Sequence, residues 1–279
     1  MKYEITDETI GLYGRTLYRI KALVAIPAHG VEAGERGGYV ESGDNLSQAG
    51  EAWVADDAKV YGDAKVYGNA WVYGSARVYD HAKVSDHAAV SGCAAVSGYA
   101  AVSGYARVSG YARVSGCAAV YGSARVYDST KVNDSARVYD HAKVSGDAHV
   151  YGDAGVYGYA WVYGDARVYG NAWVYGSAKV YGDVRVYGEA KIGGGAVVRA
   201  MKDFIVFRNF WSSGRYFTWT RSDNMYQAGC FRGTGDELVR KAYRDSEMSG
   251  REYERVARYV ETVLAGMAAE GATNGEAQE

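Results

Sequence analysis

A valine recurs at every sixth position from Val54 to Val198, with Ile192 as the one replacement. The 25 positions follow one another without an insertion or a deletion, and the residue four places after each valine is nearly always alanine. The repeated unit reads V-Y-G-x-A-K/R. A period of six residues fits neither an α-helix nor a long β-strand. It is typical of one side of a triangular solenoid, in which a short strand is followed by a corner and then by the next strand.

Each position of the unit has a predicted place in such a side. The valine points inward, and its two neighbours point outward because side chains alternate across a strand. The second residue after the valine is Gly in most units and Asp in the others, for example Asp80, and both tolerate the positive φ that a tight corner needs. The alanine must be small because it points into the narrow interior beside the corner.

Three units complete one coil of 18 residues, so residues 18 positions apart are predicted to stack, as Val54, Val72 and Val90 do. Residues 51–199 then form about eight coils, which at a strand spacing of ~4.8 Å give a rod roughly 40 Å long. Buried Val and Ile side chains contribute roughly 1.5 kcal/mol or more each. Conformational entropy offsets most of that sum, so it indicates only that a core exists.

The unit resembles the hexapeptide-repeat family of left-handed parallel β-helices. The family signature is an aliphatic residue, three less constrained residues, a small residue and then any residue, and residues 54–198 match it. The left hand is implied by this resemblance alone, since ordinary parallel crossovers are right-handed. The stretches GERGGYVESGDNLSQAGEAWV and CFRGT also resemble bacterial and prophage proteins with V-Y-G-x-A-x repeats. That second resemblance implies no particular activity.

The segment before the repeat, residues 1–50, is predicted to be a small β cap. MKYEIT and GRTLYRIKAL alternate well enough to be strands, with a turn at Tyr13 and Gly14 between them. A solenoid exposes unpaired backbone and apolar residues at each end, and a cap has to cover them.

Beyond the repeat, residues 200–269 are predicted to form a small α+β domain of three strands and two helices. The strands are DFIVFRNF, RYFTWTR and NMYQAGCF. The helices are expected to start at two capping-box patterns, one from Thr234 to Glu237 and one from Ser249 to Glu252. The last residues, 270–279, are predicted to be a disordered tail.

Charge and hydropathy exclude some functional classes. The net charge of -2 gives no bulk electrostatic reason to bind nucleic acid or an anionic membrane. No apolar run approaches the length of a membrane span. The start, MKYEITDETI, is acidic and alternating rather than basic and then apolar, so we expect a cytoplasmic location in a bacterial host cell.

The outward residue after each valine is Tyr in 14 units but Ser in six consecutive units, Ser85 to Ser115, which gives the rod Tyr-rich ends and a Ser/Ala-rich waist. Tyrosines 18 residues apart form rows whose stacked rings shield the valine layer and stabilise neighbouring coils. Alternatively, these rows form a binding surface for a sugar, a polymer or a protein, or copies of the chain pack at the waist. The candidate rows comprise Tyr61, Tyr79, Tyr121, Tyr139, Tyr151, Tyr157, Tyr169, Tyr175 and Tyr187.

One side of the predicted rod carries basic residues among its tyrosines, a combination that can bind single-stranded nucleic acid. Corner aspartates such as Asp147 and Asp165 offset this charge, so a solvated face is favoured and nucleic acid is not an expected partner. The basic residues are Lys59, Arg77, Arg113, Lys131, His149, Arg167 and Arg185.

His81, His87 and His141 fall at corners. Many enzymes of the hexapeptide family are acyltransferases that use a histidine as general base between the subunits of a trimer. If this chain is such an enzyme, His87 or His141 is the candidate catalytic base and acyl-CoA is the donor. Against it, residues 54–198 have no inserted loop to shape an acceptor site, and the same corner position elsewhere holds Asp, Asn, Ser, Tyr or Cys. A polar corner residue is therefore the favoured interpretation.

No pattern predicts a metal site, a cofactor or a cysteine nucleophile. Cys93, Cys117 and Cys230 lack the spacing of a zinc site. Cys93 and Cys117 lie on different predicted corners and should not form a disulfide. No histidine follows residue 200 to activate Cys230, and the corner glycines form no phosphate-binding loop.

The leading hypothesis is a non-catalytic repeat scaffold or binding module, related to phage or prophage proteins, whose rod carries a partner-contacting C-terminal domain. A protein partner or self-association is expected, carbohydrate or another polymer is a further option, and neither nucleic acid nor a membrane is expected. The two alternatives are a trimeric hexapeptide-type acyltransferase and a self-associating structural protein that forms polymers.

Overall fold

The computed structural model describes the backbone of residues 1–275 and the side chains of residues 1–269. The chain forms two compact units, Met1–Met201 and Lys202–Glu279. Each unit is described by itself below.

The first unit begins with strands β1 (Tyr3–Leu12), β2 (Arg15–Ala22) and β3 (Arg36–Val40). Short strands of two residues follow, each made of a repeat valine or isoleucine and the residue before it. They run at six-residue steps from β4 (Trp53–Val54) to β28 (Val197–Val198). Three single 3-10 turns lie outside this series, at Pro27–His29, Gly43–Asn45 and Met201–Asp203.

Every third short strand stacks on the one before it, which produces three parallel sheets. Sheet 1 runs in steps of three from β5 to β26, with β3, β2 and β1 at its start; sheet 2 runs from β4 to β28, and sheet 3 from β6 to β27. Val54 pairs with Val72, and Val90 pairs with Val108. The predicted parallel β-solenoid with stacking between residues 18 apart is therefore confirmed.

The solenoid has about nine turns, since sheet 2 alone contains 9 strands, where about eight had been predicted. The difference arises in the cap. Tyr39 and Val40 of β3 already pair in parallel with Lys59 and Val60, so the first coil begins before the repeat is recognisable in the sequence.

The corner geometry is uniform. The second residue after each repeat valine has a positive φ at every corner, from 54° at Asp56 to 63° at Gly194 and with Gly182 highest at 75°. Six of these residues are aspartates, and each carboxylate accepts the backbone N–H of the corner glycine in the following coil. Asp86 Oδ2, for example, lies 3.0 Å from Gly104 N. Asp is therefore used where the corner is also hydrogen-bonded to the next coil, a role that the sequence pattern alone does not show.

We expect the substitution Gly92→Ala to destabilise the solenoid by about 1–2 kcal/mol, because Ala is strained at positive φ. A Cβ at Gly92, where φ is +64°, would also lie only 3.0 Å from Gly110 N. Gly92→Asp is the matched variant and should cost less, because its carboxylate can accept the Gly110 N–H as the natural corner aspartates do. Urea unfolding of both variants tests this, and a loss in Gly92→Asp equal to that in Gly92→Ala would contradict it.

The interior is filled by the repeat valines and alanines, which are fully buried. The repeat departs from alanine at Thr130, which is also fully buried. Its hydroxyl donates to the backbone oxygen of Tyr127 at 2.7 Å, so the polar atom is satisfied locally.

The N-terminal cap covers the first edge of all three sheets. Strands β1 and β2 form an antiparallel hairpin that extends sheet 1. Lys2 Nζ donates to the backbone oxygen of Ala52 at 2.7 Å beside sheet 2, where Trp53 is fully buried. Next to sheet 3, Asn45 Nδ2 donates to the backbone oxygens of Gly62 and Ala64 at 2.8 and 3.0 Å. The first coil thus has no open edge at this end.

The second unit contains a four-stranded antiparallel sheet and two helices. The prediction of three strands was wrong by one, because a turn at Gly229, where φ is +62°, divides the third predicted strand into a hairpin. Phe217, Trp219, Tyr226, Leu238 and Val260 form the buried core. The strands are β29 (Phe204–Arg208), β30 (Tyr216–Thr220), β31 (Met225–Ala228) and β32 (Phe231–Gly233), and the helices are α1 (Gly235–Asp245) and α2 (Glu247–Gly275).

The capping box before α1 is confirmed, since Glu237 N donates to Thr234 Oγ1 at 3.3 Å and Thr234 N donates to Glu237 Oε2 at 2.9 Å. The second predicted capping box is wrong. Helix α2 already begins at Glu247, and Ser249 N donates to Ser246 Oγ at 3.1 Å, so Ser246 takes the capping role. The predicted tail, residues 270–279, has its last four residues outside the described part of the chain.

Candidate functional site

The predicted tyrosine rows are present on the outside of the solenoid. Tyr121, Tyr139 and Tyr157 stack with ring centroids 4.9 Å apart and planes within 3° of parallel, and Tyr175 continues the row at 5.2 Å. The ring faces are occupied by stacking, so the rows present ring edges and hydroxyl groups to solvent. The other stacked pairs are Tyr61–Tyr79, Tyr151–Tyr169 and Tyr169–Tyr187.

One further stacked pair, Tyr163 and Tyr181 at 4.7 Å, was not among the predicted residues. The same spacing of 18 residues would have found it. The row lies on sheet 2, where Trp161 packs against Tyr163 at 4.5 Å.

The tyrosines nearest the N-terminus are covered by the cap. Tyr61 is only 6% exposed because the hairpin of β1 and β2 packs Leu17 and Leu12 over the Tyr61 and Tyr79 rings. At the tip of the hairpin, Arg77 Nη1 donates to the Tyr13 hydroxyl at 3.3 Å. This part of the row is a docking strip for the protein's own hairpin, so Tyr61 is not part of an exposed surface.

Stacking and burial change how the tyrosines titrate. Burial, reinforced by Tyr157 and Tyr121, raises the pKa of Tyr139 to about 12. Burial and the neighbouring Tyr79 likewise raise the pKa of Tyr61 to about 12. The folded protein therefore holds these protons more tightly than the unfolded chain, in which the pKa of tyrosine is about 10.

From this we predict a loss of stability in alkali. The contribution of these tyrosines is complete below about pH 10 and is lost as the pH rises towards about 12, because the unfolded chain releases the protons first. The urea midpoint should fall over this range, and Tyr139→Phe should make the fall shallower. The control is Tyr111→Phe, whose parent side chain is 68% exposed at a corner. If both variants show the same pH dependence as the parent protein, the stacked tyrosines are not its source.

The corner histidines belong to aromatic stacks rather than to a common site. His87 Nε2 lies 3.1 Å from Asn69 Nδ2, and its ring stacks on Tyr105 at 4.8 Å. His141 stacks on Tyr159 at 4.8 Å. His87 and His141 lie on one corner row but three coils apart, roughly 14 Å at the strand spacing. The solenoid does not bring the two candidate bases together, and each faces outward.

The basic residues of the predicted side share one row on sheet 1. Register pairs Lys131 with His149 and His149 with Arg167, and Ala95 interrupts the row between Arg77 and Arg113. Burial lowers the pKa of His149, and the charges of Lys131 and Arg167 lower it further. The row is therefore a line of arginines and lysines with a neutral imidazole in it near pH 7.

Cysteine and metal chemistry find no constellation among the described residues. Cys93, Cys117 and Cys230 are exposed free thiols, as expected for residues on different corners. No cluster of three or more His, Cys, Asp or Glu side chains in that part of the chain is arranged to hold a metal ion. None of the described helices combines the length and apolarity needed to cross a bilayer.

The second unit holds a cleft of about 260 Å³ between its sheet and its helices. Phe217 and Leu238 contribute apolar lining, and Arg215, Lys241 and Asp245 contribute charged groups. Asn209 Nδ2 donates to the Tyr253 hydroxyl at 3.0 Å within the lining. Sequence analysis did not find this cleft, because its residues come from five separate stretches of the chain.

Comparison with known proteins agrees with the repeat geometry. A family model described as the YdcK beta solenoid repeat matches residues 64–80, 160–176 and 166–181. The chain is a β-solenoid repeat protein. A search of curated proteins finds no match. The three matched segments lie inside the run of six-residue units, and each spans close to one coil of the solenoid.

Proposed function

We propose that this β-solenoid protein is a non-catalytic scaffold or binding module. The observation that supports this most directly is the uniformity of the repeat: every corner from Asp56 to Gly194 has the same left-handed backbone, and no loop is inserted between them. A site that converts a substrate needs several polar groups that converge on one point. Here the outward side chains form straight rows instead, which suits an extended contact surface.

The second unit is the proposed site of contact with a protein partner. Large apolar side chains of this unit are exposed: Phe210 is 78% exposed, Met248 59% and Tyr259 55%. Exposed apolar and aromatic side chains near a cleft are typical of protein interfaces. The resemblance to bacterial and prophage proteins supports a proposed role in the cytoplasm of a bacterial cell.

Site-specific photo-crosslinking in the full chain tests the contact. A photoreactive residue in place of Phe210 should give one discrete protein adduct in cells. The matched control is Tyr111, which is 68% exposed on the solenoid. Adducts from position 111 and none from position 210 would place the contact on the solenoid and would overturn this part of the proposal.

A catalytic assay tests the non-catalytic part. Turnover of acetyl-CoA by the purified protein that is lost in His87→Ala or His141→Ala would establish an acyltransferase. Ser123→Ala is the control, because Ser123 occupies the same corner row between the two histidines. Light scattering adds an independent measurement, since the acyltransferase alternative requires a trimer. Its failure would leave the crosslinking result unaffected.

A further inference from the structure

A row of three cations lies at the waist of the solenoid on sheet 2. Arg107 pairs in register with Arg125, and Arg125 pairs with Lys143. The three side chains are exposed and one strand spacing apart, about 4.8 Å. The row ends at Ala89 on one side and at Trp161 on the other, where Lys143 Nζ lies 5.8 Å from the Trp161 ring.

None of the three cations makes a salt bridge with a described residue, although they stand close to one another. Like charges in one row repel, so the arrangement costs stability unless something neutralises it. Asp128 is the carboxylate that lines the same cavity, and its Oδ2 already accepts the N–H of Gly146 at 3.0 Å. The row on sheet 1 differs, because Asp147 and Asp165 lie two residues before its basic positions.

The cations surround a cavity of about 410 Å³. Ser109 and Tyr127 complete its lining with two hydroxyl groups. Ser109 and Ser145 precede and follow Tyr127 in its row, so this ring stacks on no other described tyrosine. The cavity exists because a serine stands where most of the repeat has a tyrosine.

We propose that Arg107, Arg125 and Lys143 bind a ligand that carries two or more phosphate groups. Arginine presents a planar fork of N–H donors that matches phosphate oxygens, and lysine adds a mobile point charge. Three cations in a row favour several linked phosphates over a single carboxylate. The row is only three residues long and the protein has a net charge of -2, which favours a small ligand over a nucleic acid strand.

Calorimetric titration of the full chain with inorganic tripolyphosphate tests this site. We expect saturable binding at low salt, about tenfold weaker in Arg125→Gln, because that variant removes the central charge-assisted contacts. The matched control is Arg137→Gln, an exposed arginine at the same repeat position on sheet 3, flanked there by Ala119 and Gly155. It should leave the affinity unchanged. The double variant Arg107→Gln and Lys143→Gln should also lose binding.

The same experiment can overturn the proposal in three ways. Tripolyphosphate does not bind, or Arg137→Gln weakens it as much as Arg125→Gln, which would mean unspecific attraction. A single-stranded oligonucleotide that binds far more tightly than tripolyphosphate would assign the row to nucleic acid instead. Inorganic phosphate and a nucleoside triphosphate distinguish free phosphate from nucleotide, and equal affinity for the triphosphate and tripolyphosphate would place recognition in the phosphates alone. Circular dichroism confirms that the variants are folded.

Discussion

Deletion of the single residue Ser109 should destabilise the solenoid by about 5 kcal/mol or more, whereas deletion of the whole unit 103–108 should be tolerated. Units 103–108 and 109–114 have the same sequence, SGYARV, so the longer deletion leaves the repeat intact. The shorter one reduces the step between Val108 and Val114 from six residues to five. Both valines are fully buried, and one coil can then no longer keep its valines inside and its backbone paired with both neighbours.

Urea unfolding followed by far-ultraviolet circular dichroism measures both deletions. The longer variant is the control for loss of chain, because it removes six times as many residues. A single deletion that unfolds at the same urea concentration as the unit deletion would show that the corners absorb changes in length, and it would contradict the dependence on a strict period.

Trp53→Ala should destabilise the protein by about 3–5 kcal/mol, the usual cost of removing a buried aromatic side chain. Trp53 is fully buried, and its ring packs edge-on against Tyr3 with centroids 6.5 Å apart. A Cβ on Gly37 would lie 2.6 Å from Trp53 Cζ2, so β3 lies directly on the ring. The buried Nε1 of Trp53 has no hydrogen-bond partner among described residues, which offsets a small part of the loss.

Trp173 is the matched control, since it occupies the same position of the repeat but is 42% exposed. Trp173→Ala should cost about 1 kcal/mol or less, as exposed substitutions usually do. Loss of Trp53 should also open the first edge of sheet 2, so sedimentation velocity should show association of this variant alone. Equal unfolding midpoints for the two variants would mean that the cap does not depend on Trp53.

Much of the solenoid is predictable because each unit repeats a local rule. The inward valine, the positive φ at the corner and the stacking of residues 18 apart follow from one period. What the period does not contain is contact between distant segments. The pairing of Tyr39 with Lys59, the cover of the cap over Tyr61 and the hydrogen bond from Gly104 to Asp86 all join different coils.

The candidate sites show the same division. The tyrosine rows could be predicted from spacing alone, and so could the row of Arg107, Arg125 and Lys143, although the charge pattern was followed along one side only. The helix start at Glu247 could not be predicted, because Ser246 and Ser249 are both acceptable N-terminal residues and packing decides between them. The cleft in the second unit needs five separate stretches to meet, which no local pattern predicts.

The stacking distance also limits what the solenoid is good for. An α-helix advances about 1.5 Å per residue and would reach 40 Å with about 27 residues. This solenoid uses about 145 residues to advance roughly the same distance, because each coil of three sides advances only one strand spacing. A chain selected merely for reach would be far shorter. The length of this one goes into width, stiffness and three broad flanks, whose side chains can each be changed by mutation without moving the backbone.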